Sequence, residues 1–454
     1  MANKALAARF FLEAAPFVEP AKFPVIKTRS PYRDVRFSGF SRNPVWICFF
    51  LWLAAFPFLL RGEEAPRHRF NEAPHNYWSR ETHDAFSKLI PLLDRGEVKL
   101  DISSDKAQLT SLLKALDVPV SSQLLVYSAT SFQGGLIRPA NPRALYFNDE
   151  VYVGYVPGGR FEVAAIDPDL GPVFRIFRPS NSGRPEITRT ERCMNCHAGR
   201  TSKQVPGLVV ESVICTDTGA SLDGFRREMV GHTVPIPLRF GGWHVTGAHE
   251  HGDHLGNLMG EAAPGGYTKF ADPPGSLFDW NRYPVRTSDL FPHLIHEHQL
   301  GFHNLITLAV YRTRDALAAG QGSIRPDDRP VLDDIAHQIV RYLLFAGEAA
   351  LPAGGVTPDP AYVRDFEARR IATSGGASLR DLDLRTRLFR YRCSYMIYST
   401  GFATMPKEVK AGVLSGLCLA LQDANAPAEF NYLPVDEKRT ILKILQETGV
   451  LPRG

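Results

Sequence analysis

The run Cys193-Met194-Asn195-Cys196-His197 places two thiols and an imidazole within five residues. Two cysteines at this spacing reach the two vinyl groups of one porphyrin, and the next residue, a histidine, reaches the iron from the same side. C-x-x-C-H is thus the attachment signature of c-type haem, with one covalent haem c on Cys193 and Cys196 and His197 as the proximal iron ligand. Six Cys and 14 His in 454 residues produce this pattern at random in roughly 0.2% of chains, so the signature is specific. A zinc site is the main rival, but it needs two more ligands at matching spacing, and no second C-x-x-C is present. A thioredoxin-like dithiol needs a strand leading into a helix of a βαβ unit ahead of Cys193, and that pattern is missing.

The sixth position on the iron is open to several side chains. Eight of the 14 histidines lie between His244 and His303. His249 and His254 fall in the glycine-rich "GGWHVTGAHEHGDHLGN". His298 and His303 fall in "HLIHEHQLGFHN". On a helix of about 100° per residue, Ile295, Phe302, Leu305, Ile306 and Ala309 share a face. His298 sits on that face and His303 at its border, whereas His293 and His296 point away. A histidine in the apolar stripe must find a partner, which iron, a carbonyl or a carboxylate would each supply. Met259 offers a thioether instead, with Met229 and Met405 as weaker alternatives. A vacant site would take peroxide, oxygen or another small ligand. In that case a histidine acts as distal acid/base, assisted by Glu297 or Arg239. Arg239 equally suits a haem propionate or an acidic side chain, and Glu297 suits a solvated helix face.

Composition supports an ordinary globular protein, with 44% hydrophobic and 22% charged residues. The net charge is only +4 and has no basic block, which excludes nucleic-acid binding. The length suits two or three domains with a core that needs no disulfide framework. Cys215, Cys393 and Cys418 read as reduced cysteines; a Cys393–Cys418 bridge is the alternative.

Residues 44–60, "PVWICFFLWLAAFPFLL", follow basic residues Arg36 and Arg42. The run is apolar all round, includes Cys48, and is read as an export signal or a single membrane anchor. Some forty residues precede it, more than a signal needs, so a start downstream of Met1 is one explanation. Residues 1–62 are accordingly an N-terminal extension.

Residues 63–125 read as helical. "THDAFSKLIPLLDRG" ends at Gly96, and "SSDKAQLTSLLKALDV" opens on a serine cap. The period changes between 123 and 178. "QLLVYSAT", "RALYFND", "EVYVGYV", "FEVAAID" and "PVFRIFR" predict antiparallel strands, with "VPGGR" as a hairpin turn. Residues 179–275 are loop-rich, as expected of a segment wrapped around a ligand. Helices dominate from about 287, including "SDLFPHLIHEHQLGFHNLITLAVYRTRDAL", "DDIAHQIVRYLLFAG", "PKEVKAGVLSGLCLALQ" and "PVDEKRTILKILQETG". The expected fold is α+β: a strand-rich central region with an irregular haem-binding segment, then a mostly α-helical C-terminal half. The division is 63–275 for the haem region and 276–454 for a helical region packing on it.

The blocks "PRALYFNDEVYVGYVPGG", "CMNCHAG", "RFGGWHVTGAHEHGDHLGN", "EHQLGFHNLITLAVYRTR" and "RCSYMIYSTGF" together resemble a family of large, exported, bacterial single-haem cytochrome c proteins, over about residues 125–450. The resemblance implies a secreted haem protein and supplies no substrate. Small soluble cytochromes c carry the motif near the start of a domain of about a hundred residues, whereas here it follows strands in a far larger chain. Three readings of function stand: an exported cytochrome passing electrons between periplasmic proteins, a peroxidase-like haem enzyme acting on a small molecule, and a haem-based sensor or binding module. The protein is expected to be periplasmic or otherwise exported, with residues 44–60 as the route to a membrane.

Overall fold

The five strand-like segments are buried on both faces almost throughout, and turn chemistry joins them. Asn148 Oδ1 accepts from the amides of Glu150 and Val151, closing one turn. Asp167 Oδ1 accepts from the amides of Asp169 and Leu170, closing another. Gly158, at φ +77°, occupies the left-handed position in the "VPGGR" turn. In a computed structural model describing residues 70–179, 185–226, 229–423 and 425–452, these segments form β1 (Leu124–Val126), β2 (Arg143–Phe147), β3 (Val151–Tyr155), β4 (Phe161–Asp167) and β5 (Gly171–Phe177). All pair antiparallel, and the two-residue β8 (Trp243–His244) completes a sheet of order β5-β4-β3-β2-β1-β8. A second sheet, β10-β9-β6-β7, is built from β6 (Val213–Cys215), β7 (Ser221–Gly224), β9 (Leu258–Ala263) and β10 (Gly266–Ala271).

One face of the large sheet carries Leu125, Tyr146, Val153, Phe161, Val163 and Phe177. It packs on the apolar faces of α1 (Ala85–Asp94) and α2 (Asp105–Ala115), which present Phe86, Leu89, Leu109 and Leu112. Asp84 and Ser104 cap these helices through their side-chain oxygens. The opposite face carries Leu124, Leu145, Phe147, Tyr152 and Phe174 and joins the main core. The one-turn α3 (Met194–His197) and the long α4 (Leu290–Ala319) lie on this side. Asp289 caps α4 by accepting from the Phe291 amide.

The C-terminal helices are α5 (Arg329–Leu343), α6 (Pro360–Glu367), α7 (Thr400–Thr404), α8 (Lys407–Ala420) and α9 (Val435–Glu447). Helices α5 and α8 approach closely because α8 carries Gly412 and Gly416. A Cβ on Gly416 would lie 2.9 Å from Val340 Cγ2, and one on Gly412 would lie 3.1 Å from Ala336 Cβ. Pro406 and Pro434 stand just outside α8 and α9 as caps rather than inside their first turns. The described residues all fall in one compact unit.

The fold is α+β as expected, with the strand-rich middle and helical C-terminal half in the expected order. The apolar run 44–60, with Cys48, lies outside the described residues. Among the described residues no helix is long and apolar enough to cross a membrane. Cys193, Cys196, Cys215, Cys393 and Cys418 are all free; Cys393 is buried and Cys418 exposed, so no bridge joins them.

Candidate haem site

Thr190 Oγ1 accepts from the Arg192 amide and starts a short 3-10 turn, Glu191–Cys193, that runs directly into α3. Cys193 and Cys196 are therefore three residues apart on one turn of helix, where side chains share a face. Met194 is buried in the main core and anchors the turn, while Cys196 is exposed and Cys193 and His197 are part-buried.

The His197 ring is fixed from behind. Its Nδ1 lies 2.9 Å from the Gly207 carbonyl. The donor role of Nδ1 is assigned from that acceptor, and it leaves Nε2 as the free nitrogen. Metal-ligating histidines are held in this way. The segment after the motif is pinned in turn. The Gly207 amide donates to the His197 carbonyl at 2.7 Å. Asn304 of α4 brackets Leu208, accepting from its amide and donating to its carbonyl, each at 2.8 Å. Burial pushes the His197 imidazole down to about 4, against the weaker opposing effect of the Gly207 bond. It is neutral near pH 7, the form that binds metals.

All three motif residues line one cavity of about 530 Å³. Its other walls come from β1 through β5, from residues 208–211, from Trp243, and from His296 and Leu300 of α4. The register explains the gap. Phe174, Ala164, Tyr152 and Phe147 are directly opposed across β5, β4, β3 and β2, forming one row on one face. The row beside it runs Ile176, Glu162, Gly154, Leu145. The small residues Ala164 and Gly154 thus sit among larger neighbours. In β4, Phe161, Val163 and Ala165 are buried, whereas Glu162 and Ala164 are partly open on the cavity side. The Arg143 guanidinium crosses over Gly154, where a Cβ would come within 2.6 Å of it, to reach Glu162 at 2.7 Å. Arg143 Nε is buried and has no hydrogen-bond partner.

His296 is the histidine of α4 that lines this cavity. It is only 4% exposed. No hydrogen bond to its ring occurs among the described residues. The ring lies 5.3 Å from Phe147, 5.7 Å from Tyr152 and 6.3 Å from Trp243. Burial, then the neighbouring His293, Arg226 and Arg143, push it well below the usual imidazole range, so it too is neutral.

The other distal candidates lie elsewhere. His298 is fully buried, with Nδ1 2.8 Å from His232 Nδ1 and Nε2 2.7 Å from Ser394 Oγ. His303 Nε2 lies 2.8 Å from the Asp149 carbonyl. His254 Nε2 meets the His249 carbonyl at 2.8 Å, and its Nδ1 accepts from Gly256. His249 Nε2 accepts from the Thr357 amide. Met259 packs with Tyr127, Val213 and Cys215 between the sheets. Met229 is 40% exposed, and Met405 packs in the main core. None of these residues is among those lining the cavity.

The acid/base candidates are also engaged elsewhere. Glu297 is not on a solvated face: it is 2% exposed and ion-paired to both Arg226 and Arg239. Arg239 also donates to the Val234 and His232 carbonyls, so it does not face the cavity. The helical-wheel reading is corrected for a simple reason. Every residue from Leu290 to His303 is buried, so this half of α4 has no polar face against which a stripe can be defined.

Sequence reasoning missed His296, Arg143, Glu162 and Ala164. A usable signal was present at Glu162, a charge at an inward position of an otherwise apolar strand. Comparison of the chain with protein-family models, with curated proteins and with solved structures finds no match.

Proposed function

We propose that this chain is an exported c-type cytochrome. It holds one haem through thioethers at Cys193 and Cys196, with His197 on the iron, and exchanges single electrons with protein partners outside the cytoplasm. The observation that carries this reading is the placement of all three motif residues on one wall of a 530 Å³ cavity, within the volume range of cofactor sites. The fit extends to the donor set. His197 turns a free, neutral nitrogen away from its backbone anchor. Arg143 keeps an unpartnered buried N–H, suited to a propionate carboxylate. A haem held there would supply a one-electron iron couple, while the chain would orient the His197 imidazole and line the cavity with apolar strand residues.

The rivals fit less well. Burial, with Glu162 and Cys196 nearby, raises the Cys193 thiol to about 11, the opposite of what an attacking thiolate needs. Among the described residues no three His, Cys, Asp or Glu side chains are placed to hold one metal ion, which leaves zinc without a ligand set. The reading is tested by producing the chain with cytochrome c maturation functions and measuring its mass. A gain of one haem that survives denaturation, and is lost in C193A/C196A, is expected. A colourless chain of unchanged mass refutes it.

A further inference from the structure

We infer that His296 is the second axial ligand, so that the haem lies over Ala164 between two imidazoles, His197 on one side and His296 on the other. This rests on the haem reading above and adds to it the coordination of the iron and the class of redox partner.

The argument starts from the cross-strand row. Its members Phe174, Ala164, Tyr152 and Phe147 stand on successive strands. The His197 ring packs on Phe174 at 4.2 Å. The His296 ring packs on Tyr152 and Phe147 at 5.7 and 5.3 Å. The two imidazoles therefore stand over columns two to three strands apart, which is about 10–14 Å at the usual strand spacing. The column between them is Ala164, whose side chain ends at Cβ and is partly open on the cavity side. Two imidazole nitrogens bonded to one metal are separated by about 4 Å, at about 2 Å per bond. The space between the columns exceeds that separation, so both side chains can reach inward above the Ala164 methyl group to a ring plane between them.

The condition of the His296 ring points the same way. It is buried, held in the middle of a long helix, and makes no hydrogen bond among the described residues. Its ring lines the cavity that holds His197, where a metal bond would give it a partner. The rings of His298, His303 and His254 each have a hydrogen-bond partner outside the cavity, although His303 Nδ1 is buried without one. With both axial positions filled by imidazole, the iron offers no place for a peroxide or another small molecule. A haem so held would exchange electrons with a one-electron carrier at the exposed mouth, where Cys196 and Arg192 meet solvent. Bis-imidazole ligation also gives a lower potential than a His–Met pair.

The test uses the full holoprotein. Near-infrared magnetic circular dichroism of the oxidised wild type is expected to show the band of two imidazoles, and the reduced form is expected to ignore carbon monoxide. H296A is expected to keep its covalent haem, become high-spin, bind carbon monoxide, and return to low spin on adding imidazole. His296→Met, which conserves the packing volume, is expected to move the band to that of a His–Met pair and to raise the potential. It keeps the test decisive if the alanine variant does not fold. A wild type that is high-spin or thioether-ligated overturns the inference, as does an H296A or H296M spectrum identical to the wild type. In those cases the haem reading stands, whereas a wild type without haem removes both.

Discussion

Asn304 is the residue whose loss most directly reports on how the motif loop is held. Its side-chain amide makes two 2.8 Å hydrogen bonds to the backbone of Leu208, and Leu208 is 4% exposed. Asn304→Ala removes both and leaves a buried N–H and a buried C=O without their partner. Each net bond contributes about 1 kcal/mol, and an unmet buried group costs about 1–3 kcal/mol, so the loss is about 2–4 kcal/mol. Gly207, next in the chain, supplies the carbonyl that orients the His197 ring. The haem spectrum should therefore change as well, because supports behind metal ligands tune the ligand. The assay is urea unfolding at fixed pH, followed by circular dichroism. The control is Gln338→Ala, which breaks the exposed 3.1 Å bond from Lys203 of the same loop and an exposed 2.6 Å bond to Asp334, and should stay within about 0.5 kcal/mol. A loss below about 1 kcal/mol for Asn304→Ala, or equal losses for the two variants, refutes the idea that α4 pins the haem loop through this residue.

Glu297→Ala leaves the guanidinium groups of Arg226 and Arg239 buried and unpaired, and should cost about 3–5 kcal/mol in thermal or urea unfolding; a loss under 1 kcal/mol contradicts the buried pairing. In the haem-loaded chain, iodoacetamide mapped by mass spectrometry should label exposed Cys418 and spare Cys193, Cys196 and the buried Cys393; labelling of the two motif cysteines contradicts thioether attachment. Burial holds His244, His293 and His298 at about 3 to 4, so the unfolded chain takes up protons below pH 6.5 that the folded chain refuses. Stability should fall as pH drops from 7 to 5, by about 1.4 kcal/mol per pH unit per group below 6.5. Burial raises Glu348 to about 7, which acts with the opposite sign and loses stability as pH rises through 7. The urea midpoint should nonetheless be lower at pH 5 than at pH 7, and a midpoint that holds or rises would count against three neutral core imidazoles.

The fold was legible where local chemistry and global packing agree. The five strand segments carry their own turns in Asn148, Gly158 and Asp167, so period and punctuation gave both position and antiparallel pairing. The same holds for α1, α2 and α5, whose apolar spacing matches the face each one buries. Residues 207–215 were harder. "GLVVESVIC" is as apolar as a strand, yet only Val213–Cys215 pairs, because Leu208 is held by Asn304 and 208–211 wall the cavity. A cavity interrupts a ladder that the apolar pattern alone would continue.

The motif was legible because covalent chemistry fixes its spacing within five residues. The proposed distal partner, His296, was not, because its place is set by packing on strands more than a hundred residues earlier in the chain. A helical wheel ranks the histidines of α4 by distance from an apolar stripe. That ranking has meaning only if one side of the helix meets water. Here Leu290–His303 is enclosed on all sides, and each histidine is sorted by what stands opposite it. His298 meets His232 and Ser394, His303 meets the Asp149 carbonyl, and His293 meets the Asp289 carbonyl. His296 meets a gap left by an alanine in β4. Ala164→Leu should close that gap at modest cost to the fold, since the position is already partly open. It should also hinder haem uptake while Cys193, Cys196 and His197 remain intact. A leucine variant that matures with an unchanged spectrum would show that the porphyrin lies elsewhere in the cavity.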